Sequence, residues 1–148
     1  MTNDSDGRVR QNAIRALGLW GNSESVPKLI ALLQHKDNGV QNEAIKALGR
    51  FKDERAAEAL ATRLPNFFGR GDAATGLKSM GALAEKAVIP YLEHTDGGAR
   101  REACAILKVI GTSQCIPALE AAVKKDKSLG GPADEAVREI RKRGEAAK

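Results

Sequence analysis

The chain is poor in the residues that most often carry catalysis or bind cofactors. Its 148 residues include two histidines, two cysteines, one tryptophan, one tyrosine and three phenylalanines. Cys104 and Cys115 form neither a metal-binding pair nor a disulfide framework. The sequence also has no glycine-rich phosphate loop and no paired nucleophile and base. We therefore predict a non-enzymatic protein without a metal or cofactor.

Long hydrophobic runs are absent as well. No apolar segment is as long as a membrane-spanning helix, which needs about 18 consecutive apolar residues. The first six residues are polar and do not resemble a secretory signal. These features predict a cytoplasmic protein without membrane contact. The net charge of +5 permits acidic or nucleic-acid partners without requiring them.

The feature that organises the sequence is an internal repeat. Ala-Ile-Arg-Ala-Leu-Gly at 13–18 returns as Ala-Ile-Lys-Ala-Leu-Gly at 44–49, which gives a period of 31 residues. The preceding Asp-Gly-Arg-Val at 6–9 returns as Asp-Asn-Gly-Val at 37–40. A period between about 20 and 50 residues is typical of stacked helical arrays.

Each repeat begins with an amphipathic helix. Counted from Val9, apolar residues stand at offsets 0, 4, 7, 8 and 11, ending at Trp20. The same stripe runs from Val40 to Phe51 and again from Ala99. This spacing places one face of a helix with 3.6 residues per turn against a core. Trp20 and Phe51 are therefore predicted to be packing residues.

A second helix follows in each repeat, and Pro27, Pro90 and Pro117 mark the first turn of three of them. We predict an all-α, right-handed α-solenoid of about four and a half helical hairpins, hence nine helices. The whole chain, 1–148, forms one array in this prediction. Its repeats cover approximately 6–36, 37–68, 69–95 and 96–126, followed by a capping helix at 132–143.

The third repeat departs from the pattern. Asp72 stands where the other repeats have an apolar residue, and residues 64–71 contain a proline and two glycines. The array is therefore expected to bend or loosen around residues 65–76. Phe67 and Phe68 are predicted to fill the resulting gap, with an exposed anchor for a partner as the alternative.

The two ends of the array differ. The last helix carries Glu139 and Arg143 in columns that are apolar elsewhere, as in terminal repeats. The first helix begins the apolar pattern at full strength. We therefore expect an exposed apolar edge around Ile14, and a chain that forms the C-terminal module of a longer protein or buries this edge against a partner.

Three short motifs together resemble a known family. Asp-x-x-Val-Arg, Ala-x-x-Ala-Leu-Gly and Val/Ile-Pro-x-Leu are similar to the short HEAT repeats of the phycobilisome-lyase HEAT-like class. The resemblance implies that loop aspartates and the arginine after the valine link neighbouring repeats. It also implies that Gln41 and Ala73 interrupt this series. The linking residues implied are Asp6, Asp37, Asp96, Arg10 and Arg100.

The leading functional prediction is a scaffold or adaptor that binds a partner through its concave face. The partner is another protein or another part of a longer parent chain. Stacked second helices form an extended groove that suits such a chain. The residues predicted to contact the partner are Lys28, Phe67, Phe68, Arg70 and Tyr91.

Two alternatives remain open. The first is nucleic-acid binding, because the C-terminal part is rich in basic residues and some HEAT-like DNA glycosylases hold duplex DNA. The second is an enzyme of the bilin-lyase type, which the family resemblance implies. Cys104 is predicted to be buried, whereas Cys115 lies at a helix start where its pKa could be lowered. The basic residues on which the nucleic-acid alternative depends are Lys124, Lys125, Lys127, Arg138, Arg141, Lys142 and Arg143.

Overall fold

The computed structural model describes residues 7–146, and these are helical with short connections and no strand. Short 3₁₀ segments, such as Ser23–Ser25 and Ser113–Cys115, precede several second helices. Within the described range the chain forms nine α-helices: α1 Gly7–Trp20, α2 Val26–Leu32, α3 Asn38–Leu48, α4 Glu54–Ala61, α5 Arg70–Met80, α6 Glu85–Val88, α7 Gly97–Ile110, α8 Ile116–Lys125 and α9 Gly130–Ala146.

The helices stack in two layers, which confirms the predicted α-solenoid. The odd-numbered helices pack against one another in chain order, from α1 to α9. The helices α2, α4, α6 and α8 form the second layer. The core lies between the layers, where apolar side chains from both are buried. Helix α9 extends beyond the predicted 132–143 at both ends.

Aspartates cap two of the first helices, α3 and α7. The Asp37 carboxylate accepts the backbone N–H of Gly39 at 2.7 Å, and the Asp96 carboxylate accepts that of Ala99 at 2.7 Å. An N-terminal cap of this kind contributes about 1 kcal/mol by satisfying an amide that has no partner inside the helix. The recurrence of the loop aspartate in the sequence therefore has a local cause in helix capping.

In the third and fourth repeats, a guanidinium group connects the loop before the first helix to the loop that follows the repeat. Arg100 donates to the carbonyl oxygens of His94 and Thr95, at 2.7 and 2.9 Å, and to the carboxylate of Asp126. Arg70 makes the same pattern with Leu64, Pro65 and Asp96. Each arginine satisfies loop carbonyls and an ion pair at once.

The prediction that Ala73 interrupts the arginine series is therefore wrong, because Arg70 supplies the guanidinium from three residues earlier. Arg70 was also predicted to lie in the binding groove. Its hydrogen bonds place it instead in the connection between repeats. The signal in the sequence is its spacing, since Arg70 follows Leu64 by six residues, as Arg100 follows His94.

The second repeat uses a different arrangement. Gln41 donates to the His35 carbonyl oxygen at 2.6 Å and accepts a hydrogen bond from Arg63 at 2.8 Å. In the first repeat Arg10 lies 3.2 Å from Nε2 of His35. Asp6, the remaining predicted link, lies outside the described residues.

A second series of ion pairs joins successive first helices, and the family resemblance did not imply it. In each case a basic residue on one helix meets an acidic residue on the next. Asp72 belongs to this series, which explains why the third repeat tolerates a charge there. The pairs are Arg15–Glu43 at 3.2 Å, Lys46–Asp72 at 3.9 Å, Lys78–Glu102 at 3.5 Å and Lys108–Glu135 at 2.5 Å.

The N-terminal edge differs from the prediction. Ile14 is fully buried, whereas Trp20 is 82% exposed and Val9 is 45% exposed. The buried equivalent of Val9 is Val40 on α3, which has α1 packed against it. The columns at offsets 0 and 11 therefore face the preceding helix of the stack. The predictions of an exposed Ile14 and a buried Trp20 are both wrong for this reason.

The first helices of the second and third repeats approach closely at two glycines. A Cβ atom built on Gly49 would lie 2.7 Å from the Cα of Gly76, and one built on Gly76 would lie 3.0 Å from the Cα of Gly49. Any side chain here would force α3 and α5 apart. The glycine at 69, with φ of 84°, makes the turn that brings α5 into this position.

Candidate functional site

A concave feature lies between α4 and the second element of the third repeat. It is an open cavity of about 570 Å³, within the range of binding pockets in proteins. Its walls come from the second layer of helices and their connections. The lining residues are Glu54, Ala57, Glu58, Ala61, Thr62, Pro65, Leu83, Lys86, Ala87, Pro90, Tyr91 and His94.

The cavity exists because one wall is not a regular helix. Helix α6 has only four residues and is flanked by the 3₁₀ segments Gly81–Ala84 and Ile89–Glu93. Pro90 follows α6 rather than standing in its first turn, so it ends the α-helical hydrogen bonding. The first helices of these two repeats, α3 and α5, stay close together, since Gly49 and Gly76 are in contact. The opening therefore lies between the second elements of these repeats, whereas the bend or loosening around residues 65–76 stays a prediction.

Tyr91 forms part of the cavity wall. Its ring stacks on His94 with centroids 5.7 Å apart and planes 18° from parallel. Burial raises the pKa of the Tyr91 hydroxyl, which is therefore a neutral hydrogen-bonding group at pH 7. His94 is fixed in turn, because its Nδ1 accepts the backbone N–H of Asp96 at 3.0 Å.

The charges of the cavity are divided between its two walls. Glu54 and Glu58 stand one helical turn apart on α4, and Lys86 lies on α6 opposite them. Ala57 and Ala61 form an apolar floor beside the glutamates, and Leu83 and Ala87 add apolar surface on the opposite wall. The cavity therefore combines an apolar floor, the aromatic ring of Tyr91 and two carboxylates on one side.

Phe67 and Phe68 do not line the cavity; they lie in the connection between α4 and α5, which also contains the lining residue Pro65. They are 82% and 73% exposed, and their rings meet edge to face with centroids 5.6 Å apart. The prediction that they fill a gap beside Asp72 and Gly76 is wrong. Their exposure corresponds to the alternative, in which they are available to a partner.

Of the five predicted contact residues only Tyr91 lines the cavity, and Lys28 lies farthest from it along the chain. It is exposed on α2 and does not line the cavity. The sequence analysis did not single out Glu54, Glu58 or Lys86. Their signal was the i, i+4 spacing of two glutamates on a helix whose third-repeat counterpart carries Tyr91.

The cysteines are not suited to nucleophilic chemistry. Cys104 and Cys115 are both fully buried and free. Burial raises the pKa of each thiol to about 11, and the nearby Glu85 carboxylate adds to the effect at Cys115. The prediction of a lowered pKa at Cys115 is therefore wrong. Residues 7–146 contain no cluster of three potential metal ligands.

Several basic residues of the C-terminal part are engaged within the protein. Lys125 pairs with Glu93 at 2.7 Å and Arg141 with Glu120 at 3.4 Å. Arg143 donates to the carbonyl oxygens at the end of α7, Lys108 and Gly111. These contacts give three of the seven basic residues a role in packing the last repeat. Across residues 7–146, no helix has the length and apolar character needed to span a membrane.

Comparison with known proteins adds two likenesses to these observations. The chain is 35% identical over 101 residues to the phycocyanobilin lyase subunit alpha of Nostoc sp. (strain PCC 7120 / SAG 25.82 / UTEX 2576), a match that covers 58% of this chain and 37% of that protein. The chain thus spans well under half the length of this relative. An engineered protein of known crystal structure superposes with a TM-score of 0.57 at 23% identity, over 95% of this chain and 76% of the other, which supports the fold alone.

The repeat motifs, the two stacked layers and the comparison of sequences agree on the family. A family model described as HEAT repeats matches residues 1–78, slightly more than half of the chain. The protein belongs to the HEAT-repeat family.

Proposed function

We propose that the protein is a non-catalytic binding module that holds a segment of another protein in the cavity between α4 and the third repeat. The observation that carries the proposal is an open cavity of about 570 Å³ between the second helices, with two exposed phenylalanines in the connection that supplies its lining residue Pro65. HEAT repeats generally act as helical scaffolds, and stacked second helices present a continuous concave surface.

The aromatic residues support a protein partner. Phe67 and Phe68 expose large apolar surfaces side by side, which costs solvation free energy unless a partner covers them. Tyr91 offers a rigid ring and a neutral hydroxyl at the cavity wall. Residues of this type contribute most of the binding energy in protein interfaces. The partner segment would thus extend from the cavity to the α4–α5 connection and contact both features.

The experiment blocks the cavity without disturbing the core. Thr62 lines the cavity, is exposed, and donates to the Ala59 carbonyl oxygen at 2.6 Å. Thr75 is an equally exposed threonine on α5 that donates to the Gly71 carbonyl oxygen at 2.9 Å, away from the cavity. Thr62→Trp should fill the cavity, whereas Thr75→Trp is its matched control.

The wild-type protein and both variants would be used to capture partners from extracts of the source cells, followed by quantitative mass spectrometry. We expect a defined set of proteins to be lost with Thr62→Trp and retained with Thr75→Trp. Loss of the same set with Phe67→Ser/Phe68→Ser would extend the contact to the aromatic pair. Equal recovery with wild type and Thr62→Trp would refute the proposed site.

A second candidate function follows from the lyase relative. The cavity has the size of a small-molecule site, and the matched protein is named as a lyase subunit for phycocyanobilin. Under this candidate the cavity would hold the pigment rather than a peptide. Adding the protein to phycocyanobilin should then change the visible absorption spectrum of the pigment, and the Thr62→Trp variant should not produce this change. An unchanged spectrum with wild-type protein would exclude this candidate.

The nucleic-acid alternative has less support. Lys125 and Arg141 each pair with a glutamate, which partly neutralises the basic surface, and Arg143 donates to backbone carbonyl oxygens. Binding through phosphates weakens steeply with salt. A filter-binding assay with duplex and single-stranded DNA at about 50 mM salt would test it, because phosphate contacts are strongest under such conditions.

A further inference from the structure

The carboxylates in the cavity are unusual for this protein. Glu54 and Glu58 form no ion pair or side-chain hydrogen bond with another residue of the described range, although the chain carries a net charge of +5. Most acidic residues elsewhere in this range have a basic or amide partner. Those with partners are Glu24, Asp37, Glu43, Asp53, Asp72, Glu85, Glu93, Asp96, Glu102, Glu120, Asp126 and Glu135.

The two carboxylates also share one helical face. Glu54 and Glu58 are spaced i, i+4 on α4, so their mutual repulsion slightly destabilises the helix. Both line the same cavity, above the buried Ala57 and Ala61. A cation placed between them would relieve the repulsion and gain two charge-assisted contacts.

The opposite wall suits a planar cation with an apolar stem. The Tyr91 ring, held against His94, presents an aromatic surface on which a guanidinium can stack. Leu83 and Ala87 provide apolar surface for methylene groups. Lys86 also lines this wall, so the charges on the two walls are opposite and the lining carries a net negative charge.

We propose that the cavity is a receptor for an arginine side chain of the partner, inserted with its guanidinium between the two glutamates and Tyr91. This inference rests on the proposed function and specifies the chemistry of the partner segment. Arginine fits better than lysine, because its planar guanidinium forms paired hydrogen bonds with carboxylates and stacks on aromatic rings. The partner is thus a protein segment that combines an arginine with an apolar residue able to cover Phe67 and Phe68.

The test uses small fragments in place of the unidentified partner. ¹⁵N-labelled protein would be titrated with n-butylguanidinium, and separately with butyrate, at constant ionic strength, while amide chemical shifts are followed. The carboxylates are removed by Glu54→Gln/Glu58→Gln. The matched control is Asp134→Asn/Glu145→Gln, which removes the same charge from exposed positions on α9.

We expect n-butylguanidinium to shift amides of residues 54–62 and 83–94, and butyrate to shift them much less. The Glu54→Gln/Glu58→Gln variant should bind n-butylguanidinium about three- to tenfold more weakly, since two exposed ion pairs are lost. The α9 control should bind like wild type. Equal shifts with butyrate, shifts confined to other regions, or unchanged binding by Glu54→Gln/Glu58→Gln would each overturn the inference.

The outcomes separate this inference from the proposed function. If Thr62→Trp abolishes partner capture but the fragments show no charge preference, the protein-binding proposal stands and the arginine receptor is refuted. If the fragments bind as expected but Thr62→Trp leaves capture unchanged, the cavity recognises a guanidinium and the proposed partner site is refuted.

Discussion

The close approach of α3 and α5 allows a stability prediction in which two opposing effects can be separated. Gly71 and Gly76 lie in the same helix, α5. A Cβ atom at Gly71 has nothing within 4 Å, whereas one at Gly76 lies 2.9 Å from Leu60 Cδ1 and 3.0 Å from Gly49 Cα. Alanine at either site has a higher helix propensity and reduces the conformational entropy of the unfolded chain. Together these effects raise the free energy of unfolding by about 0.4–1 kcal/mol.

Only Gly76→Ala adds a steric cost. The Leu60 side chain can rotate away, but Gly49 is backbone and can move only if α3 shifts. Overpacking of this kind costs about 1–3 kcal/mol, which exceeds the gain from propensity. We therefore expect Gly71→Ala to raise the free energy of unfolding and Gly76→Ala to lower it by about 1 kcal/mol.

Thermal unfolding followed by circular dichroism at 222 nm is the assay, supported by urea titration. A difference of about 2 kcal/mol between the variants corresponds to a gap in melting temperature of roughly 4–8 °C for a chain of this size. Gly49→Ala should be at least as destabilising as Gly76→Ala, because its Cβ would meet the Gly76 backbone at 2.7 Å. Equal melting temperatures for Gly71→Ala and Gly76→Ala would show that the helices separate at negligible cost.

Three further predictions concern the links between repeats and the thiols. Arg70→Met should lower the free energy of unfolding by about 1–2 kcal/mol in urea titration, because two loop carbonyls lose their donor, whereas exposed Arg138→Met should have little effect. The Ala99 amide and then Arg70 lower the pKa of Asp96, and hydrogen bonds from Ser128 and then Arg100 lower that of Asp126. The two carboxylates therefore contribute to the free energy of unfolding above their pKa in the unfolded chain, near 4, and this contribution is lost as the pH falls through their lower pKa values in the folded protein. The urea concentration at the midpoint of unfolding should thus decrease below about pH 4, and less steeply in Asp126→Asn. Iodoacetamide at pH 8 should leave both buried cysteines unmodified in native protein and alkylate both in urea, as read by mass spectrometry.

The repeat pattern was sufficient to predict the all-helical solenoid. Columns such as Val40 and Ala99 predicted burial correctly, because each of these helices has a neighbour on both sides. The same pattern failed at Val9 and Trp20, which are exposed. Periodicity reports which face of a helix is apolar, but not whether a neighbour covers that face.

The cavity could not be predicted from the columns for a related reason. Its volume depends on the separation of α4 from a broken helix, and that separation follows from where Pro90 falls relative to the helix start. Tyr91 was identified because its column faces the concave side. Glu54 and Glu58 were missed because a pair of glutamates on an exposed helix is ordinary until the opposite wall is known.

The tight and open sides of the junction between the second and third repeats are connected mechanically. Gly49 and Gly76 set how closely the first helices pack, while Leu60, which touches the space at Gly76, lies on α4 beside the cavity floor. Forcing α3 from α5 with Gly76→Ala should therefore also move α4 and change the cavity. We expect n-butylguanidinium to bind Gly76→Ala more weakly than Gly71→Ala at a temperature where both are folded, as measured by amide shifts of residues 54–62. Identical binding would mean that the cavity is set by α6 and its flanking 3₁₀ segments alone, independently of the glycine contact.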